Sequence, residues 1–189
     1  TLSFDPSAKT AMDKQEPPAP GADFRVVIVG AGNINFGSDE GPWNHSFRLE
    51  HKLGPRLKVV ALIDPDAERA RRVLKTKCQS FVLSAYKDTV VYPTFKDYMA
   101  SVCAETYPHA VWVGSPPAFR GGTEPGRNLE QLLTAGLPNV PLFIEKPVST
   151  GAVDQTFEVA KMLERNGSLV SVGYMLRYLK VVQKMKQII

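Results

Sequence analysis

Phe24-Arg25-Val26-Val27-Ile28-Val29-Gly30-Ala31-Gly32-Asn33-Ile34-Asn35 is the stretch whose reading decides the fold. Its first half is a short β-branched apolar run, as a strand buried on both faces requires. The run stops at a glycine, and the pattern G-x-G-x-x-G/A follows, with Asn35 at its third position. In a dinucleotide fingerprint, Gly30 makes a tight turn that a Cβ would obstruct, and Gly32 lets the backbone approach a pyrophosphate. The helix that follows is expected to add N–H donors and a partial positive charge. Gly30, Gly32, Asn33 and Ile34 are therefore candidate cofactor contacts. Asn35 departs from the pattern and weakens the third role, close packing of helix on strand. Taken alone, the loop reads equally well as a plain strand-to-helix turn.

Outward from this stretch, similar apolar runs recur at Leu57–Ile63, Ala110–Val113, Leu142–Ile144 and Leu169–Val172. Helical stretches are expected between them, at 43–53, 66–77, 95–104, 125–136 and 151–166. In the last, Val153, Phe157, Ala160 and Leu163 fall at helical spacing. Strand alternating with helix predicts an α/β doubly wound parallel sheet, the Rossmann dinucleotide-binding fold, over residues 24–176. Residues 1–23 carry four prolines and few large apolar side chains, and are expected to form a flexible tail. Residues 177–189 read as the start of a second domain. They form an apolar helical pattern without a terminal cap, so Ile188 and Ile189 should be exposed and prone to associate.

Composition narrows the function classes. The chain has 189 residues, 43% of them hydrophobic, enough for one sizeable core. A net charge of +4 is a mild excess and only weak support for nucleic-acid binding, so no nucleic-acid partner is expected. Cys78 and Cys103 fit neither a disulfide framework nor a metal module, so no metal site is expected. No apolar run approaches the roughly 20 residues of a membrane span. A cytoplasmic location is expected, although the chain begins without Met and targeting is not read from it.

The second run ends in Asp64. An acid there can accept hydrogen bonds from the adenosine ribose hydroxyls and repel a 2′-phosphate, which favours NAD over NADP. Asp64 stands 32 residues after Gly32, against about 20 in the usual pattern. The insertion Gly37-Ser38-Asp39-Glu40-Gly41-Pro42 accounts for the excess, and its two acids are expected to face solvent. Asp64-Pro65-Asp66 also reads as a helix start. Arg69, Arg71 and Arg72 are expected to form that helix's solvated face, the alternative being a pairing with a 2′-phosphate.

Three later motifs complete the pattern: Gly114-Ser115-Pro116-Pro117, Glu145-Lys146-Pro147-Val148-Ser149 and Gly173-Tyr174-Met175-Leu176-Arg177-Tyr178. With the fingerprint and Asp64, they resemble the Gfo/Idh/MocA family of nicotinamide-dependent oxidoreductases over residues 24–189. The resemblance implies that Lys146 is the catalytic residue, beside the nicotinamide and a substrate hydroxyl. It places Glu145 along the nicotinamide side and makes the bond before Pro147 cis. It puts Ser115 and Pro116 in a turn against the cofactor and Arg177 at the nicotinamide side of the cleft. Arg120 stands where the family often has a histidine, which puts a cation near the phosphates.

The family's second domain usually supplies an Asp-x-x-x-His pair. Gly41, Phe47 and Glu105 precede His45, His51 and His109 by four residues, so no such pair exists here. His45 is expected to be a packing or helix-surface residue rather than a substitute base. The expected function is the nucleotide-binding half of an oxidoreductase that moves a hydride to or from a sugar- or polyol-like carbinol carbon. NAD is its expected cofactor, and a homo-oligomer is expected of the full-length protein. The alternative is a non-catalytic NAD-binding regulatory or interaction module, since fold does not fix function.

Overall fold

The computed structural model describes residues 18–39, 41 and 43–189. The expected tail lies almost wholly outside them, and so does Glu40 of the insertion. Six parallel strands form one sheet in the order β3-β2-β1-β4-β5-β6. They are β1 (Phe24–Val29), β2 (Leu57–Ile63), β3 (Val90–Tyr92), β4 (Ala110–Val113), β5 (Leu142–Ile144) and β6 (Val170–Val172). The direction of winding reverses between β1 and β4, and a crevice opens there at the carboxyl ends of the strands.

The connections carry α1 (Asn33–Phe36) and α2 (His45–Leu53), then α3 (Ala67–Cys78) and α4 (Leu83–Tyr86). Next come α5 (Phe95–Met99), α6 (Leu129–Gly136) and α7 (Val153–Arg165), and α8 (Lys180–Ile188) follows β6. Alternate residues of the strands point to opposite faces. Val27, Val29, Val111, Val113, Leu142 and Ile144 meet Phe95, Tyr98, Leu133 and Leu137 on one face. Val26, Ile28, Val59 and Leu62 meet Leu49, Ala70 and Tyr86 on the other. The register of β1 on β2 slips between Val26 and Val27. The slip puts Val60 and Ala61 on the same face, against the first of these layers. Each large apolar side chain fully buried here contributes about 1.5–3 kcal/mol.

Several expectations shift. Val90–Tyr92 was not among the expected strands. It is a three-residue edge strand paired only with β2, so it carries no long apolar run. The helix expected over 95–104 ends at Met99, and the one expected over 125–136 begins at Leu129. The helix expected over 43–53 is found at His45–Leu53, and a single helical turn that was not expected, Asn33–Phe36, stands directly after the glycine loop. It stops at Gly37, whose φ is +89°, and the next helix waits for the Asn44 side-chain cap, which accepts from Phe47 N–H. The insertion thus removes most of the helix dipole expected at the loop. On α8, Val181, Met185, Ile188 and Ile189 are exposed, as the uncapped pattern implied.

Candidate dinucleotide site

At the tip of β1, Gly30 adopts φ +97°, and its N–H donates to Ile63 C=O at 2.8 Å. A Cβ on Gly30 would lie 3.0 Å from Ser115 N, so the β1 and β4 turns meet only because the residue is glycine. Gly32 is different. Its backbone is ordinary, at φ −80° and ψ 176°, and no atom lies within 4 Å of where its Cβ would be. Gly32 leaves open space above the loop.

Asp64, at the tip of β2, is 3% exposed. Its Oδ2 accepts from Ala31 N–H at 2.6 Å, which ties the glycine loop to β2. Its Oδ1 accepts from Asp66 N–H at 2.8 Å and from Arg69 Nη2 at 2.9 Å. Asp66, not Asp64, is the cap of α3, accepting from Arg69 N–H. Arg69 therefore departs from the solvated face on which it was expected. It curls back one turn onto the acid, and the carboxylate raises its already high pKa.

Asn35 does not loosen the packing as expected. It is fully buried, and its Nδ2 donates to Val29 C=O at 3.1 Å and to Gly30 C=O at 2.6 Å. Its bulk sits over Gly114, where a Cβ would come within 2.4 Å of Asn35 Oδ1. The glycine that close packing requires has moved from the helix to the facing turn. Gly114→Ala is accordingly expected to cost ~1–3 kcal/mol by overpacking. Adding Asn35→Ala should restore part of it, giving a favourable coupling in a thermal-unfolding double-mutant cycle. Strict additivity would show that the two residues are not in contact.

Glu145 follows β5 and is buried. Its Oε2 accepts from its neighbour's backbone, Lys146 N–H, and its Oε1 lies 3.2 Å from His45 Nε2. His45 is 6% exposed and packs edge-on to Phe143. Burial holds its pKa below the ordinary 6.5, so the ring is neutral at pH 7 and Nε2–H donates to the carboxylate. This is the packing role expected for His45. The peptide bond between Lys146 and Pro147 is cis, as the resemblance implied. The Lys146 side chain is exposed at the rim of the crevice.

Arg120 is buried. Its Nε donates to Ser115 C=O at 3.0 Å and its Nη1 to Val148 C=O at 2.8 Å. It braces the turn after β4 against the turn after β5. Burial lowers its pKa, opposed by the charges of Glu130 and Glu145. Glu130, buried beneath, has its own pKa raised by burial and accepts from Gly121 N–H at 2.8 Å.

The turns together enclose a cleft of about 360 Å³. Gly30, Gly32, Asn33, Ile34, Asp64, Ser115, Pro116, Glu145 and Lys146 all line it, joined by Arg69, Gly114, Pro117 and Arg120. Arg177 lies elsewhere, in the exposed Met175–Tyr178 turn with its guanidinium 5.6 Å from the Tyr178 ring centroid. Tyr178 lines a larger, apolar cavity of about 500 Å³ on the Trp112 and Phe143 face of β4 and β5, and Glu145 is a wall common to it and the cleft. That face is open because α6 and α7 pack on the other one. Among the described residues, no group of three or more His, Cys, Asp or Glu is placed to hold a metal ion, and no helix is long and apolar enough to cross a membrane.

Residues 24–174 match the profile of an oxidoreductase family with an NAD-binding Rossmann fold. The chain belongs to the Gfo/Idh/MocA family. Two proteins of Schizosaccharomyces pombe, the uncharacterized proteins C12C2.04 and UNK4.17, are each 44% identical to it, over 169 and 178 residues. These matches cover 88% and 93% of this chain, which spans only 44% of the length of each relative.

Solved structures share the Gfo/Idh/MocA fold at low identity. The WlbA dehydrogenase of Chromobacterium violaceum, in complex with NADH and UDP-GlcNAcA, is 17% identical with a TM-score of 0.62. Its match covers 92% of this chain and 41% of WlbA. The scyllo-inositol dehydrogenase of Lactobacillus casei, with bound NAD(H) and scyllo-inositol, is 18% identical with a TM-score of 0.56, covering 88% and 40%. A super-repressor mutant of Gal80p from Saccharomyces cerevisiae is 16% identical with a TM-score of 0.62, covering 89% and 38%.

The family's cofactor also fits this chain on the chain's own evidence. Gly30 and Gly32 form a cradle from which side chains are absent, and the first of them has no room for one. Ser115 Oγ is buried beside it with no hydrogen-bond partner. A buried hydroxyl left without a partner costs free energy that a ligand group can recover. Gly114 and Pro117 line the cleft without having been candidate contacts, while Arg69 and Arg120 had been weighed only as charges near the phosphates. For Gly114 the signal was the asparagine at the third fingerprint position.

Proposed function

We propose that this chain is the nucleotide-binding half of an NAD-dependent oxidoreductase acting on a carbinol carbon of a sugar or polyol derivative. One observation carries the reading: a single cleft at the point where the sheet reverses gathers the Gly30–Gly32 cradle, buried Asp64, the unpartnered Ser115 hydroxyl and the Lys146 rim. The solved neighbours with NADH and UDP-GlcNAcA, and with NAD(H) and scyllo-inositol, support the substrate class. The 44% span of the fission-yeast relatives supports the role of one half of a larger protein.

In this reading, Gly30 and Gly32 admit a pyrophosphate, and Asp64 faces the adenosine ribose. NAD is the preferred cofactor and NADP the weaker one. When bound, the nicotinamide supplies the hydride acceptor or donor. Lys146 lies at the open rim, where its cation lowers the cost of alkoxide charge on a substrate hydroxyl. Glu145, fixed by His45, holds the turn that carries Lys146. No histidine lines the cleft among the described residues. The acid–base group therefore comes from the rest of the protein, which we expect to form homo-oligomers. The free thiols of Cys78 and Cys103 suit a reducing compartment, and we assign the cytoplasm.

A module that binds NAD without turnover is the second reading, favoured by the fold shared with Gal80p, a protein that has a super-repressor mutant. The test follows NADH absorbance with a panel of polyols and nucleotide sugars, on the complete gene product and on residues 1–189. Turnover by the complete protein alone is expected. Binding without turnover by either would favour the regulatory module, and robust turnover by the 189-residue chain would return His45 to consideration as the base.

A further inference from the structure

We propose that His45 is a positioning residue for the reaction: through the Glu145 carboxylate it fixes the direction in which Lys146 leaves the end of β5, without itself touching cofactor or substrate. The proposal rests on the oxidoreductase reading above and deepens it. An amide held in one direction fixes its peptide plane, and the plane between Glu145 and Lys146 sets where the lysine side chain starts. That amide is held by a side chain, since Lys146 N–H donates to Glu145 Oε2. The backbone on the other side of Glu145 is tied to the sheet, its N–H donating to Val113 C=O at 2.9 Å. What remains free is the carboxylate, which turns about its own side-chain bonds and needs a second anchor.

His45 is that anchor. Its Nε2 lies 3.2 Å from Glu145 Oε1, across 100 residues of sequence. The ring cannot swing away, because its centroid lies 5.0 Å from that of Phe143 and 5.5 Å from that of Trp112. Gly173 closes the carboxylate from a third side, where a Cβ would stand 3.2 Å from it. His45 lines the apolar cavity and not the cleft, whereas Glu145 lines both. The histidine therefore acts from behind the wall that the two cavities share. Packing alone does not call for an imidazole here. Between Phe143 and Trp112 a phenyl ring would fill the space, and His45 Nδ1 is buried with no partner, which costs free energy. What a phenyl ring lacks is the Nε2–H donor.

The experiment compares His45→Phe, His45→Gln and His45→Asn with wild type in the complete protein. It reads kcat and KM on the compound turned over fastest in the panel of polyols and nucleotide sugars, with NADH dissociation and a thermal melt of each variant. Phenylalanine keeps a ring and loses the donor. Glutamine puts an amide N–H where Nε2 stands, and asparagine carries the same amide one carbon short. In His45→Phe and His45→Asn, kcat and kcat/KM should fall together by about tenfold to a hundredfold, the size of effect that a displaced catalytic group produces. His45→Gln should stay within about threefold of wild type. NADH dissociation should change by no more than about threefold in all three. A histidine that only packs gives the reverse order, with His45→Phe near wild type and His45→Gln impaired, and that order would overturn the proposal. So would equal losses of NADH affinity and turnover. Should His45→Phe not fold, the asparagine and glutamine variants decide alone, and equal kcat in the two would count against the proposal. A wild-type protein that binds NADH and turns over nothing in the panel is a different result, which removes the catalytic reading itself and the proposal with it.

Discussion

Gly32→Val should weaken dinucleotide binding by about tenfold to more than a hundredfold while leaving the fold intact. The two halves of that expectation come from separate observations. The backbone at Gly32, φ −80° and ψ 176°, lies in the extended region that valine prefers. Nothing of the protein stands within 4 Å of the new Cβ, so the folded state has no clash to resolve. The space that the side chain fills is the space a pyrophosphate needs. Overpacking such a gap costs ~1–3 kcal/mol, and more where the ligand cannot shift. At ~1.4 kcal/mol per tenfold, affinity should fall by about tenfold to more than a hundredfold. Gly30→Val is the contrasting control. It needs φ +97° and meets Ser115 N, so it should lower the melting temperature as well. A Gly32→Val chain that melts as wild type and binds NADH as wild type would reduce the loop to a turn.

Lys146→Met in the complete protein should lower kcat by about 10²–10³, the range seen when one preorganised charge-stabilising group is removed. The NADH dissociation constant should change by no more than about threefold. The reasoning is positional. Lys146 reaches the cleft from its rim, whereas the loop contacts come from Gly30 and Gly32 behind it. Methionine keeps the unbranched stem, so packing is preserved and only the cation is lost. Stopped-flow measurement of hydride transfer, with NADH binding measured separately, resolves the two quantities. Equal loss of binding and turnover would make Lys146 a cofactor ligand only.

Most of this site was legible in the sequence because its chemistry falls at strand ends. Gly30, Asp64, Ser115 and Glu145 each follow a buried apolar run, and parallel winding brings those ends together. The edge strand Val90–Tyr92 was not legible, because three residues with one neighbour carry no periodicity. Asn35 read as a defect, and only the facing Gly114 shows how its bulk is accommodated. Arg69 read as surface because an amphipathic helix puts its arginines outward. Nothing in the spacing reveals that one of them turns back across the first turn. The insertion after Gly37 was readable, but not that a single helical turn would stand at the glycine loop.

The central claim is that the crevice at the β1–β4 reversal, and not the larger apolar cavity beside Trp112 and Phe143, binds a dinucleotide. The most direct test is a titration of the ¹⁵N-labelled chain with NADH, followed residue by residue by NMR. The account predicts saturable shifts at the amides of Gly30, Gly32, Asn33 and Ser115, with the indole Nε1–H of Trp112 unmoved. Shifts centred on Trp112 with the glycine loop silent, or no shifts at all at millimolar NADH, would contradict it.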